Sequence, residues 1–196
     1  MTTRITRKEQ SHDRIVEAAA RALRRNGYAG VGVAEVMKEA GLTHGGFYAH
    51  FASRDAMIAE AVEHASHDST TRVSLRIAAK RARGVRPLRA LVESYLAEEH
   101  LLNAECGCPV AALASEMPRQ QDLAAEASRG RVKALINAVS TVLPPDAGPA
   151  AAGVFAATLM GCLQLARTLG DNAQGRALLA AAVENLVRQH DAGDLS

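Results

Sequence analysis

Aromatic residues are scarce, Phe, Tyr and Trp together making up 3% of the 196 residues with no tryptophan at all. No period-two apolar run bounded by turn residues appears either, which argues against a sheet-built fold and for an all-α chain. Cysteines number three, odd and too few for a disulfide framework, as expected in a reducing compartment. No run of about 18 apolar residues is present, and the N-terminal MTTRITRKEQ lacks the apolar core of a signal peptide. The expectation is a cytoplasmic protein without a membrane partner. Nucleophile motifs, phosphate loops and carboxylate dyads are missing, so neither an enzyme nor a bound cofactor is expected. Net charge is only +2, small for a nucleic-acid binder. An apolar fraction of 48% nonetheless suffices for a packed core in one large or two small domains.

Charge distribution says more than the sum. Residues 1–60 hold nine Lys or Arg against seven acids, plus His12, His44 and His50, while the remainder is balanced at fourteen of each sign. The whole excess lies in the N-terminal segment, where phosphate neutralisation would use it. A second basic run (Arg72, Arg76, Lys80, Arg81, Arg83, Arg86, Arg89) has no acid between Ser69 and Val92. That run reads as a solvated helix face.

The stretch GLTHGGFYAHF at 41–51 carries the most information. Upstream, Val33, Val36, Met37 and Ala40 fall at i, i+3, i+4 and i+7, one apolar stripe on a short helix. Gly41 ends it, since a glycine past the last apolar position takes the left-handed conformation without a Cβ clash. Thr43 is expected to cap a new helix over residues 44–50 through its hydroxyl. Gly45 and Gly46 each cost that helix about 1 kcal/mol. Bare of side chains, they allow close approach of a large flat partner, with unpaired N–H groups available to anions. Phe47 and Phe51, four apart, anchor an inner face, leaving Thr43, His44, Tyr48 and His50 outside. Two glycines with an aromatic pair also fit a tight helical corner. The full combination of stripe, stop glycine, capping threonine and paired aromatics fits a helix-turn-helix and points to DNA.

From residue 14 to residue 62 the chain resembles the DNA-binding domain of TetR/AcrR-type transcriptional regulators, most specifically in GLTHGGFYAHFASRD. The resemblance implies phosphate contacts by Thr43, Tyr48 and His50, approach to base edges by His44 and Gly45, and a phosphate clamp by Arg54 at the start of a fourth helix. One departure is Gly32, where the family often carries threonine at the start of its second helix. It implies an N-terminal three-helix DNA-binding domain (1–52) and a larger C-terminal helical domain (53–196) for effector binding and dimerisation.

The rest of the chain reads as helices set apart by breakers. Thr6 with Glu9 forms a capping-box pattern opening a first helix with Ile15, Ala18, Ala19, Ala22 and Leu23 inward. Ser53 is a candidate N-cap for the fourth helix, with Met57, Ile58, Ala61, Val62 and Ala65 on its inner face. Further helices are expected at about 87–102, after Pro109, and at about 120–142, 150–169 and 174–189. The last two are apolar around much of their circumference, so each should bury more than one face. A homodimer through these two helices meets that need and supplies two recognition elements to a two-fold operator. A monomer that packs them internally is the alternative.

One chemically suggestive cluster remains: Cys106, Cys108 and Pro109, with His100 upstream and Cys162 distant. Three readings stay open: inert thiols, a thiol sensor of oxidants or electrophiles, and a metal site. Metal is disfavoured because the paired spacing of tetrahedral sites is missing. A receiver for a small, mostly apolar or aromatic effector is expected from Tyr95, Leu102, Cys106, Cys108, Leu113, Met117, Phe155, Leu159, Cys162 and Leu165 or Ala166. The expectation is therefore a dimeric, ligand-responsive regulator of transcription, a repressor by family analogy, that partners double-stranded DNA and a small effector. The alternative is a helical ligand-binding or thiol-redox protein with degenerate DNA binding.

Overall fold

A computed structural model describes residues 6–148 and 150–190. Nine α-helices follow one another there: α1 (Arg7–Asn26), α2 (Val33–Glu39), α3 (Arg54–Ala82), α4 (Pro87–Tyr95), α5 (Glu98–Leu102), α6 (Pro109–Leu113), α7 (Asp122–Ser140), α8 (Ala151–Leu169) and α9 (Ala173–His190). A 3-10 turn, His44–Ala49, stands between α2 and α3. No strand occurs among the described residues. The fold is all-α.

Contacts gather the chain into two units, one reaching to Asp68 and including Glu105–Arg131, the other containing Ser69–Ala104 and the chain from Val132 onward. This division runs through α3, whereas the domain boundary read from the sequence lies at 52/53.

In the first unit, α1 opens on the expected capping box. Glu9 N donates to Thr6 Oγ1 at 3.2 Å and Thr6 N to Glu9 Oε2 at 2.7 Å. Those bonds hold the Glu9 carboxyl below its usual range. The predicted stripe is buried from Ile15 to Leu23, and Val36, Met37 and Ala40 of the next turn join it. Gly41 takes φ +68°, which lets Leu42 N reach back to the Met37 carbonyl at 2.8 Å and close the helix end. The Arg14 guanidinium donates to the Ala40 carbonyl at the same place.

Segment 105–131 is strapped to this core. Glu116 Oε2 accepts from Tyr28 N at 2.8 Å, and the Tyr28 hydroxyl meets Ser128 Oγ at 2.7 Å in a buried setting. Burial raises the Tyr28 pKa. Buried Arg24 donates to the carbonyls of Ala65 at 3.2 Å and Gly107 at 3.4 Å. The Asp55 carboxylate receives Leu123 N at 3.1 Å, where α7 begins with Asp122 at positive φ.

In the second unit α8 and α9 form a hairpin. Phe155, Leu159, Leu163 and Ala166 are buried on one side, Leu179, Ala182, Leu186 and Val187 on the other. Asn172 Oδ1 caps α9 by accepting from Gln174 N at 2.9 Å and Gly175 N at 3.1 Å. The single helix expected at 87–102 is instead broken, Leu96 closing α4 and Ala97 turning extended before α5. No Gly or Pro marks the break. The Tyr95 carbonyl, which a continuous helix would bond to a backbone N–H, is taken by His100 Nδ1 at 2.7 Å, and the His100 ring meets Tyr95 edge-on at 4.9 Å. Burial, partly opposed by this bond and reinforced by Arg167 and Arg76, pushes His100 down to about 4.

Among the described residues α8 meets the length and composition of a membrane span, although only 33% of its apolar window is buried within the chain. Gln164 and Arg167 interrupt its apolar run. Val154, Leu165 and Leu169 lie exposed along it.

Candidate nucleic-acid interface

The recognition element forms where the sequence places it, wound differently from expectation. Residues 44–49 adopt a 3-10 turn rather than the α-helix expected over 44–50, with Gly46 N bonded to the Thr43 carbonyl at 3.0 Å and His50 N to that of Phe47 at 2.9 Å. Two glycines in a six-residue segment leave little helix propensity, and the tighter winding satisfies the same amides over a shorter span. Thr43 departs from its expected capping role. Its backbone sits in the N-cap geometry, yet its hydroxyl makes no capping bond. The backbone carbonyl of Thr43 has already taken Gly46 N, so the exposed hydroxyl is left unspent.

The inner face is as expected. Phe47 and Phe51 are 1% and 3% exposed, stacked at 5.6 Å with 25° between planes. Outward, Thr43, His44 and Gly45 are exposed and Tyr48 is 76% exposed, the most accessible of the large apolar side chains described. A Cβ placed on Gly45 would meet nothing within 4 Å, and one on Gly46 only Met37 Cε at 3.7 Å and Thr43 Oγ1 at 3.8 Å. No described residue requires glycine at either position.

His50 and Arg54 are placed less simply. The His50 ring is half-buried, with Nδ1 enclosed and lacking a hydrogen-bond partner. Burial lowers its pKa, and the positive charges of His12 and Lys8 lower it further. Arg54, at the start of α3, donates Nε to the Val31 carbonyl at 2.9 Å and Nη2 to that of Tyr28. Part of its fork thus closes the loop after α1, leaving Nη1 for an outside acceptor. Ser53 Oγ caps α3 by accepting from Ala56 N at 3.1 Å. Arg14 and His12, which sequence reasoning passed over, hold the element from behind. Their partners lie 26 and 48 residues away, so no local pattern marks them.

The effector candidates divide between the units. Tyr95, Phe155, Leu159 and Cys162 belong to the second; Cys106, Cys108, Leu113 and Met117 to the first. Cys108, Leu113 and Met117 are buried and Cys106 half-buried. Burial raises the pKa of Cys162, which makes it a poorer thiolate. Among the described residues no three His, Cys, Asp or Glu side chains are gathered to hold a metal ion.

Residues 15–61 match the family model described as bacterial regulatory proteins, tetR family. Along most of its length the chain is similar to an uncharacterized HTH-type transcriptional regulator of Mycobacterium tuberculosis H37Rv, at 25% identity over 176 residues, covering 81% of this chain and 85% of that one. Among solved structures, the regulatory protein TetR from Rhodobacter sphaeroides superposes with a TM-score of 0.74 at 21% identity, covering 92% of this chain and 98% of that one. A TetR transcriptional regulator from Chloroflexus aurantiacus gives 0.73 at 20%, covering 93% and 96%. The glycine-fronted turn, its buried phenyl pair and these likenesses agree: over residues 15–61 the chain carries the DNA-binding domain of the tetR family of bacterial regulatory proteins, and it is a DNA-binding regulator of transcription, not an enzyme.

Proposed function

We propose that the chain is a repressor that binds a palindromic operator as a homodimer through α8 and α9 and leaves it when a small, apolar or aromatic effector binds. The observation that carries the DNA contact is the pairing of an exposed Tyr48 with an unobstructed Gly45 on a turn anchored by Phe47 and Phe51. Thr43, Tyr48 and His50 contact phosphate, His44 and Gly45 approach base edges, and Arg54 offers its remaining guanidinium edge to the backbone. One such turn reads only a few base pairs; two related by a dyad read half-sites about 34 Å apart or a multiple of it. The apolar side chains exposed along α8 supply the dyad face. Tyr95, Phe155, Leu159 and Cys162 form the effector side, and an effector acts by preferring the subunit geometry in which the two turns no longer fit.

The test is selection of duplexes from a random pool by the wild-type protein, followed by binding at several salt concentrations. The expected product is an inverted repeat, bound with a steep salt dependence. Tyr48→Ala and Thr43→Ala proteins should melt normally and lose the preference for it. A preference that survives both substitutions refutes the assignment. Placed across a promoter, the repeat should lower transcription on addition of protein; a rise would make the chain an activator.

A further inference from the structure

Behind the recognition turn, the aromatic packing continues onto α1. The His12 imidazole stacks on Phe51 with centroids 4.6 Å apart and 23° between planes. Phe51 stacks on Phe47, and Phe47 meets Tyr48 edge-on at 5.2 Å. Four rings therefore form an unbroken row from α1 to the exposed phenol. At its inner end, His12 Nε2 lies 2.7 Å from Glu60 Oε2 on α3. His50 flanks the row, its ring 5.9 Å from that of His12.

The imidazole at position 12 does both jobs. A phenyl ring would stack on Phe51 and miss Glu60; a glutamine would reach Glu60 and leave Phe51 uncovered. The neighbouring His50 presents the complementary problem. An enclosed N–H without an acceptor is costlier than an enclosed lone pair, so the proton of neutral His50 belongs on Nε2. Lys8 and His12 on α1 neighbour it, and Glu60 on α3 holds His12. Asp13, Glu63 and His64 line the hollow of about 540 Å³ beside His12 and Glu60.

We propose that His12 is a positioning residue for DNA contact: clamped by Glu60 and stacked on Phe51, it fixes the ring row that ends at Tyr48 and presents His50 as an Nε2–H donor to phosphate. The proposal rests on the DNA-contact assignment of Tyr48 and His50. With Nδ1 enclosed and burial opposing protonation, the neutral ring meets phosphate through Nε2–H.

Fluorescence anisotropy on a duplex enriched by the wild-type protein, at pH 7.5 and constant ionic strength, tests this. His12→Ala should weaken binding about tenfold. His12→Phe, which keeps the stack, should recover most of the affinity at pH 7.5. Adding His50→Gln to His12→Ala should cost less than His50→Gln costs the wild type, because the two act as a unit. Glu60→Gln, at an exposed site, loosens the clamp without emptying the core and should weaken binding about threefold. Wild-type affinity in both His12→Ala and Glu60→Gln, or additive losses in the double variant, would overturn the role of His12. Failure of the wild type to enrich any duplex refutes DNA recognition itself, which is a different result.

Discussion

Replacing Gly45 by alanine separates what the recognition turn does for the protein from what it does for DNA. The added Cβ meets no atom within 4 Å, and the residue is not at positive φ. The fold should therefore gain. Alanine has less unfolded-state entropy to lose, worth about 0.4–1 kcal/mol at a compatible site. For a chain of this length that is a rise of roughly 1–4 °C in melting temperature. On DNA the same methyl group stands between the turn and the duplex, and an operator affinity at least about tenfold weaker is expected, about 1.4 kcal/mol.

Scanning fluorimetry and anisotropy on one protein preparation measure both quantities, and their opposite signs are the signature. Gly41→Ala is the control. There φ is +68° and the new Cβ would lie 2.6 Å from Arg14 Nη2, so stability should fall by about 1–3 kcal/mol. Binding should fall only in step with folding. A Gly45→Ala protein that binds as tightly as wild type would show that this surface does not face the duplex. One that melts earlier would show that the turn is packed against something inside the chain.

Thr43→Ala should leave the melting temperature unchanged, because the hydroxyl makes no capping bond, against about 1 kcal/mol for a working cap; denaturant titration decides between them. Leu165→Asp places a charge on a side chain 60% exposed on α8. The single chain should tolerate it within about 0.5 kcal/mol, while sedimentation shows monomer and operator binding drops by more than about a hundredfold. A dimeric Leu165→Asp protein would move the interface elsewhere. For His100, held at about 4 by burial, the unfolded chain takes up a proton near 6.5 that the folded chain refuses. Stability is then full above about pH 6.5 and falls between there and about pH 4 by on the order of 3 kcal/mol. His100→Gln should lack that portion of the acid limb in urea titrations at stepped pH; an unchanged limb would show that His100 protonates without unfolding.

Local signals explain which features could be read in advance. The capping box at Thr6 and Glu9, the stripe from Ile15 to Leu23, the left-handed Gly41 and the cap at Ser53 each depend on residues within a few positions of one another. Each appears as expected. Features missed in advance mostly involve a distant partner or a competing donor. The break after Leu96 needs the His100 side chain to take a backbone carbonyl, and no breaker residue announces it. Arg54 is expected to clamp phosphate only through the family resemblance; the carbonyls of Tyr28 and Val31 that share its guanidinium arrive only with the fold. Glu116 and Ser128 reach Tyr28 across 88 and 100 residues.

The same distinction bears on why so weak a helix former can be a recognition element. Six residues with two glycines cannot hold their shape through backbone bonds alone, since a helix that short is marginal even in alanine-rich sequences. Shape must come from behind. Phe47 and Phe51 supply it by burial, His12 by stacking on Phe51, and Arg14 by capping the α2 end at Ala40. The turn can then spend its outer surface on bareness, because nothing on that side contributes to its stability. A variant that strengthens the outer face should therefore stabilise the protein and weaken its hold on DNA, whereas one that loosens the inner face should lose both together.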